Sequence, residues 1–206
     1  MEKSLTITIG RQFGSGGRDI GLQLSERLGI SFYDKEVLIE AAKDSGLDEA
    51  FFEKFDEKPT NSFWYSLLMN VRAGKIARDE YDMPLPERVF LAEFEAIQKI
   101  ASEGSSVIVG RCADYVLRNQ KNCINVFIYA PTENRIARIA ERCQVERSKA
   151  EELIRQVDKH RSSYYNYYTT GKWGDVGSYH LCIDSSLCGV EGTAALIEDF
   201  IHRCGY

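Results

Sequence analysis

A glycine-rich segment between a predicted strand and a predicted helix constrains the fold of this chain more than any other feature. Residues 5–10 alternate polar and apolar side chains and end in glycine, which is typical of a strand. Ile20, Leu24 and Leu28 then recur at helical spacing before a glycine that ends the helix. Between the two elements, backbone N–H groups and the helix dipole converge on an anion, and glycines let the backbone approach it closely. The segment therefore predicts a phosphate-binding loop at the start of an α/β domain.

This loop departs from the strict phosphate-loop pattern G-x-x-x-x-G-K-[ST]. Gly17 or Arg18 takes the lysine position, depending on the register, and Arg18 or Asp19 takes the hydroxyl position. Arg18 is the candidate for the cation that the lysine supplies, because its planar fork suits phosphate oxygens. Asp19 either caps the following helix or binds magnesium directly with its carboxylate. The alternative is a glycine-rich turn needed only for packing. The predicted phosphate-binding residues are Gly14, Ser15, Gly16, Gly17, Arg18 and Asp19.

Predicted strands and helices alternate along the rest of the chain. Strands are predicted at residues 30–33, 106–109, 123–129 and 179–183. Helices are predicted at 35–43, 87–102, 113–118 and 190–202, with a pair of helices over 132–168. Such alternation is typical of a mostly parallel sheet covered by helices on both faces. The sequence thus predicts a single α/β domain over residues 1–206, with three α/β/α layers.

One range interrupts this alternation. Residues 44–92 are acidic and aromatic and hold three of the four prolines of the chain, so we predict a helical insert there. Its aromatic side chains, which include Phe51, Phe55 and Trp64, are expected to cover a ligand site or to form a dimer contact. The sequence leaves both alternatives open.

Composition limits the expected partners and compartment. The formal net charge of −5 argues against broad nucleic-acid binding, which depends on neutralising many phosphates. No apolar run reaches the roughly 18 residues of a membrane span, and the N-terminal residues lack the apolar region of a signal peptide. We therefore expect a cytoplasmic protein without membrane or nucleic-acid partners. The six cysteines are scattered and lack C-x-x-C spacing, which predicts free thiols and no structural zinc site.

A second set of polar residues follows the predicted strand at residues 106–109. Open α/β sheets bind ligands at the carboxyl ends of their strands, and Arg111 stands there with a fork that can grip a phosphate. At this point the sequence resembles bacterial cytidylate kinases, and more closely the cytidylate kinase-like family. The resemblance rests on the Ile-Thr-Ile-Gly start with Gly-Ser-Gly, on Phe32-Tyr33-Asp34, on Gly110-Arg111 through Asp114, and on Ile183-Asp184-Ser185-Ser186.

The resemblance implies a P-loop NTPase-like fold and gives roles to several side chains. Arg111 matches the family's arginine that binds the acceptor phosphate, and Asp114 stands for the aspartate that reads cytosine, although two residues separate it from the arginine. Asp34 is similar to the family's aspartate near the acceptor. By the same resemblance, residues 44–92 are a candidate acceptor-binding subdomain, and residues 132–178 are a candidate mobile lid.

A third set of charged residues lies within this candidate lid. It comprises Arg135, Arg138 and Arg142, at i, i+3, i+7 spacing on one helix face, followed by Arg155, Asp158 and Arg161. Asp158 and Arg161 resemble paired residues of the family. Arginines in such a lid stabilise the charge on the migrating phosphoryl group. The alternative is a solvated helix face that pairs with neighbouring glutamates.

The function that these observations predict is an ATP- and magnesium-dependent kinase of a small phosphorylated acceptor, with CMP or dCMP as the leading candidate. A nucleotide-binding regulatory protein without turnover and a P-loop kinase of another small molecule are the alternatives, and a homodimer is left open. The predicted catalytic residues are Arg18, Asp34, Arg155 and Arg161. The predicted substrate-binding residues are Asp34, Arg111, Asp114, Arg138 and Arg142, and the predicted metal ligand is Asp19.

Overall fold

The computed structural model describes residues 4–36, 39–40 and 84–206, and these residues form an α/β domain around a five-stranded sheet. All strand pairs are parallel, and the strand order is β2-β3-β1-β4-β5. The strands are β1 (Thr6–Arg11), β2 (Ser31–Tyr33), β3 (Ser106–Val109), β4 (Cys123–Tyr129) and β5 (Leu181–Asp184). The predicted parallel sheet is therefore confirmed.

Helices connect these strands in the predicted alternation. They are α1 (Gly17–Leu28), α2 (Leu85–Glu103), α3 (Ala113–Val116), α4 (Thr132–Cys143), α5 (Arg147–Tyr168) and α6 (Ser185–Arg203), with a short 3-10 helix at Val176–Ser178. The predicted helix at 35–43 is described only at residues 35–36 and 39–40, which are helical. Residues 85–92 of the predicted insert belong to α2, whereas residues 44–83 lie outside the described residues.

Two helix boundaries differ from the prediction. The last helix begins at Ser185, five residues before the predicted start at Val190, because the Asp184 side chain caps it by accepting a hydrogen bond from Ser186 N at 2.9 Å. Gly189 interrupts this helix with φ 65° and ψ −167°, which hides the early start from helical periodicity. The predicted helix at 113–118 is shorter, since α3 ends at Val116.

Helices cover both faces of the sheet, and the apolar side chains of its strands are buried against them on each face. One face packs Ile7 and Ile9 against Ile20 and Leu24 of α1 and against α6. The other face packs Ile108 of β3 against apolar side chains of α2 and α3. The three layers predicted from the sequence are thus confirmed.

A separate apolar cluster joins α4 and α5. Ile136 and Ile139 of α4 pack against Ala150 and Ile154 of α5, and Phe13, which follows β1, packs against the same cluster. The helical pair therefore lies directly beside the end of the first strand.

Within the described ranges, no helix has the length and apolar character needed to cross a membrane. All six cysteines are free, as predicted.

Candidate functional site

The segment between β1 and α1 forms an open backbone cradle at the carboxyl end of the central strand. Gly14 and Gly16 have φ values of 81° and 82°, a left-handed conformation that glycine adopts without strain. The first intrahelical hydrogen bond of α1 runs from Ile20 N to Gly16 O at 2.9 Å. The backbone N–H groups of Gly17 and the two residues after it therefore lack intrahelical acceptors and are available to an anion.

The N-cap of α1 corrects one expectation for Asp19. The capping residue is Gly16, which has no side chain, so the suggestion that Asp19 caps this helix is wrong. Asp19 lies in the first turn of α1, is exposed, and lines the cleft beside the loop.

Arginines of α4 and α5 hold the outward backbone carbonyls of the loop. Arg138 Nη1 donates to Gly14 O at 3.0 Å, and Arg161 Nη1 donates to Arg11 O at 3.3 Å. The Arg161 guanidinium also lies 5.6 Å from the centre of the Phe13 ring. These bonds tie two backbone carbonyls of the loop region to the helical pair α4–α5.

The backbone of Phe13 is bound through both its N–H and its C=O group. Phe13 N donates to Asp158 Oδ1 at 2.7 Å, and Arg135 Nη1 donates to Phe13 O at 3.3 Å. Arg135 and Asp158 are themselves joined by a bond of 2.6 Å between Nη1 and Oδ2. On the other side of the loop, the buried Ser185 donates from Oγ to Ser15 O at 2.6 Å.

A cleft of about 180 Å³ opens beside this loop, and its charged lining is mostly cationic. Among the described residues that line it, six cations face three carboxylates, which creates a positive potential suited to a polyphosphate. The cations are Arg11, Arg18, Lys35, Arg138, Arg142 and Arg161, and the carboxylates are Asp19, Asp34 and Glu36. The structure therefore brings most of the predicted site residues together at one place.

Arg18 and Asp34 lie in this cleft as partners of each other. Arg18 Nε donates to Asp34 Oδ2 at 2.9 Å, and Asp34 Oδ1 accepts a bond from Glu36 N at 3.2 Å. The Asp34 side chain is buried, whereas half of the Arg18 side chain is exposed. The fork that was expected to hold phosphate is thus turned toward a carboxylate at the end of β2.

Arg111 lies away from the cleft lining, in a buried ion pair. Its Nη1 lies 3.1 Å from Glu93 Oε1 of α2, and both side chains are 3% exposed. Tyr164 of α5 donates to Glu93 Oε2 at 2.8 Å. Arg111 and Cys112 both have left-handed backbone conformations, with φ values of 55° and 54°, and this local strain is typical of functional turns.

Asp114 is also buried outside the cleft. Its Oδ2 accepts a hydrogen bond from Tyr165 O–H at 2.7 Å. Burial raises the pKa of Asp114 above its ordinary value, and the Tyr165 bond lowers it by a smaller amount. Arg155 is exposed and lines a different cavity, together with Arg135 and Asp158. Asp114 and Arg155 are therefore predicted site residues that do not line the cleft beside the phosphate loop.

Several residues that shape the site carried no assigned role at the sequence level. Arg11 lines the cleft, and its guanidinium lies against Gly110, where a Cβ atom would collide with it. Its position at the carboxyl end of the first strand was the available signal. Glu93 gave no signal, because it lies within an otherwise ordinary amphipathic helix. Ser185 belongs to the motif Ile183-Asp184-Ser185-Ser186, but its hydrogen bond to Ser15 O could not be predicted, because the two residues are far apart in the sequence.

The cleft offers few carboxylate ligands for a magnesium ion. Among the described residues, no three His, Cys, Asp or Glu side chains form a metal-binding group. Mg²⁺ at phosphate-transfer sites usually takes one or two carboxylates and completes its shell with substrate phosphates and waters. The exposed Asp19 carboxylate in the cleft fits that sparse coordination.

The parallel sheet, its strand order and the glycine loop between β1 and α1 define a P-loop kinase fold with three α/β/α layers. Shikimate kinase from Acinetobacter baumannii shares the fold, with a TM-score of 0.53 and 18% identity over 98% of this chain and 95% of that chain. An uncharacterized protein from Eubacterium ventriosum is more similar, with a TM-score of 0.73 and 29% identity over 96% of this chain and 98% of that chain.

Residues 6–187 match the cytidylate kinase-like family, and the chain belongs to that family. Cytidylate kinase from Aeropyrum pernix is 27% identical over 195 residues, which cover 93% of this chain and 96% of that protein. Cytidylate kinase from Methanopyrus kandleri is 24% identical over 205 residues, which cover 95% of this chain and 92% of that protein. The resemblance inferred from the motifs is thus confirmed.

Proposed function

We propose that this protein transfers the γ-phosphoryl group of ATP to a nucleoside monophosphate, and that the acceptor is CMP or dCMP. The observation that carries the proposal is the cationic cleft beside the open amide groups of α1. Family membership and the two relatives named cytidylate kinase support the choice of reaction and acceptor.

The chain's own groups account for donor binding in this proposal. The loop amides at the start of α1 bind the donor phosphates, because they lack intrahelical acceptors and belong to residues that line the cleft. Arg138, Arg142 and Arg161 surround the same space and offset the charge of the migrating group. Phosphoryl transfer depends mainly on positioning and electrostatic stabilisation, so this arrangement needs no protein nucleophile.

Magnesium enters the proposal through Asp19. Its carboxylate would hold the ion beside the donor phosphates, and the ion would neutralise negative charge on their oxygens. Asp34 and Lys35, at the carboxyl end of β2, line the part of the cleft assigned to the acceptor. Arg111 and Asp114 take part in acceptor binding in this proposal only when the acceptor reaches their buried side chains.

A second candidate function is nucleotide binding without turnover. It is favoured by the absence of the loop lysine together with the pairing of Arg18, the loop's own cation, with Asp34. A protein of this kind would bind nucleotide at the loop and regulate a partner. The two candidates predict different outcomes in the same experiment.

The test compares two glycine substitutions in a kinase assay with MgATP and a panel of CMP, dCMP, UMP and AMP. A Cβ at Gly16 would lie 2.7 Å from Arg138 Nη1, whereas a Cβ at Gly29 would meet no atom within 4 Å. Both glycines have positive φ, so both substitutions carry similar backbone strain. We expect Gly16→Ala to lower kcat/KM for CMP on the order of 10²-fold, because small displacements at a reacting centre cost that much. Gly29→Ala should stay near the wild-type rate.

Each result leads to a definite conclusion. Turnover of CMP or dCMP above the other monophosphates, lost in Gly16→Ala alone, supports the proposal. ATP binding in a calorimetric titration without transfer to any acceptor favours the regulatory candidate. Equal activity in both glycine variants would show that the loop has no role in phosphoryl transfer.

A further inference from the structure

A single carboxylate of α5 holds the peptide that leads into the phosphate loop. Asp158 Oδ1 accepts the Phe13 amide hydrogen at 2.7 Å, and Asp158 Oδ2 accepts from Arg135 Nη1 at 2.6 Å. The same Arg135 nitrogen reaches Phe13 O at 3.3 Å. Both backbone polar atoms of Phe13, which belong to the two successive peptide groups on either side of its Cα, are therefore bound by an ion pair whose side chains are 9% and 17% exposed.

Gly14, the residue after Phe13, is also packed tightly against the helical pair. Gly14 lies against α4 so tightly that a Cβ would be 3.0 Å from Ile139 Cγ1 and 3.1 Å from Arg135 Cβ. Phe13 packs its ring into the cluster between α4 and α5. The Phe13 peptide thus has little freedom, and the amides that follow it inherit its position because they are covalently joined to it.

The Asp158 bond also determines which amides of the loop are available to a ligand. It occupies the Phe13 N–H and leaves the amides at the start of α1 as the groups that face the cleft. A site of this kind works best when a surrounding shell of hydrogen bonds fixes its binding groups before the ligand arrives. Asp158 belongs to that shell, since its carboxylate is occupied by Phe13 and Arg135.

We propose that Asp158 is a positioning residue for donor binding, which acts through the Phe13 peptide and the Arg135 side chain without touching the nucleotide. The proposal rests on the proposed function, in which the loop binds the donor phosphates. It separates Asp158 from Arg161, its neighbour one helical turn away, which lines the cleft itself. It also makes the α4–α5 pair part of the donor site, because displacement of α5 breaks the bond to the loop.

Two variants test the proposal, with the native fold of each confirmed by thermal denaturation. Asp158→Ala removes both bonds, whereas Asp158→Asn keeps an oxygen that can accept the Phe13 amide and removes the charge that holds Arg135. The control is Asp199→Ala, which breaks an exposed pair between Asp199 and Arg203 on α6. Calorimetric titration with MgADP and, separately, with CMP measures the two sites, and NMR hydrogen exchange measures protection of the Phe13 amide.

We expect Asp158→Ala to lose protection of the Phe13 amide and to raise the Kd for MgADP by about tenfold to hundredfold, as expected for a lost charge-assisted hydrogen bond. The Kd for CMP should stay within about twofold, and Asp158→Asn should lie between the wild type and the alanine variant. A purely structural role would change both ligands together or neither.

Three outcomes would overturn the inference. A rise in the Kd for CMP with no change for MgADP would make Asp158 an acceptor contact. Unchanged MgADP binding in Asp158→Ala despite loss of Phe13 protection would leave the bond without a functional role. A native Asp158→Asn variant with full protection of the Phe13 amide, but with MgADP binding weakened as much as in Asp158→Ala, would place the effect outside the Phe13 amide bond. Wild-type protein that binds neither ligand would instead contradict the proposed function.

Discussion

At the scale of single residues, Asp114 shows how burial controls the chemistry of a carboxyl group. Desolvation is the main cause that raises its pKa, and the Tyr165 bond offsets part of this effect. Burial and, to a smaller extent, the charge of Asp114 raise the pKa of Cys123 to about 12. The Cys123 thiol therefore stays protonated at neutral pH, in agreement with the free thiols of the chain.

The raised pKa of Asp114 predicts a stability that falls as the pH rises. Between the ordinary value of 3.8 and the higher folded-state pKa, the folded chain binds more protons than the unfolded chain. The contribution of Asp114 is therefore fully present below pH 3.8 and is lost as the pH rises through the folded-state pKa. Asp114→Asn removes this loss, because its amide stays neutral and its oxygen can still accept the Tyr165 hydroxyl.

We expect Asp114→Asn to raise the free energy of unfolding at neutral pH by on the order of 1 kcal/mol, with no gain in acid. Urea unfolding at a series of pH values measures the difference. Tyr165→Phe is the control, since it removes the donor and should destabilise the protein most at neutral pH. Parallel pH profiles for wild type and Asp114→Asn would contradict the assignment.

At the scale of elements, local patterns predicted the fold well and the partners of charged side chains poorly. β1, the glycine loop and α1 were predictable because glycine and apolar periodicity act over a few residues. The early start of α6 was missed because Gly189 breaks its periodicity, although the Asp184 cap was visible in the sequence.

The candidate site was predictable in position but not in its pairing. Helical spacing grouped three arginines of α4, and the structure brings Arg138 and Arg142 to the cleft, whereas Arg135 lines a second cavity. Spacing cannot show that Arg18 pairs with Asp34, or that Arg111 pairs with Glu93, because these contacts join different elements. Such long-range pairs depend on how the helices pack on the sheet.

The kink in α6 gives a prediction at this scale. Gly189 has φ 65° and ψ −167°, a region that is essentially restricted to glycine. Gly29, at the end of α1, has φ 63° and ψ 33°, a left-handed conformation that asparagine tolerates. We therefore expect Gly189→Asn to lower the free energy of unfolding by about 1–3 kcal/mol and Gly29→Asn to change it by less than about 1 kcal/mol.

Urea unfolding of both variants checks this expectation. A Cβ at either glycine meets no atom within 4 Å, so the comparison isolates backbone conformation from packing. Equal destabilisation by the two substitutions would show that α6 straightens to accept a side chain at position 189.

At the scale of the whole molecule, the distribution of charge matters more than its sum. The chain carries a formal net charge of −5, yet its phosphate-loop cleft has six cations against three carboxylates. An acidic surface disfavours polyanions such as nucleic acids, whereas a concave cationic site still attracts a small phosphorylated ligand. The same distribution supports the proposal that this acidic protein binds small nucleotides.

This charge distribution predicts stabilisation by phosphorylated ligands in particular. A ligand that binds the folded chain alone adds about 2.7 kcal/mol at a concentration of one hundred times its Kd. For a chain of 206 residues, this gain corresponds to a rise in Tm of about 5–11 °C. We expect MgATP and CMP each to raise the Tm, measured by differential scanning fluorimetry, and adenosine and cytidine to raise it far less. Sodium chloride at matched ionic strength is the control for general screening. Equal Tm shifts from nucleosides and nucleotides would show that binding depends on the base and sugar, in conflict with a loop that binds through phosphate.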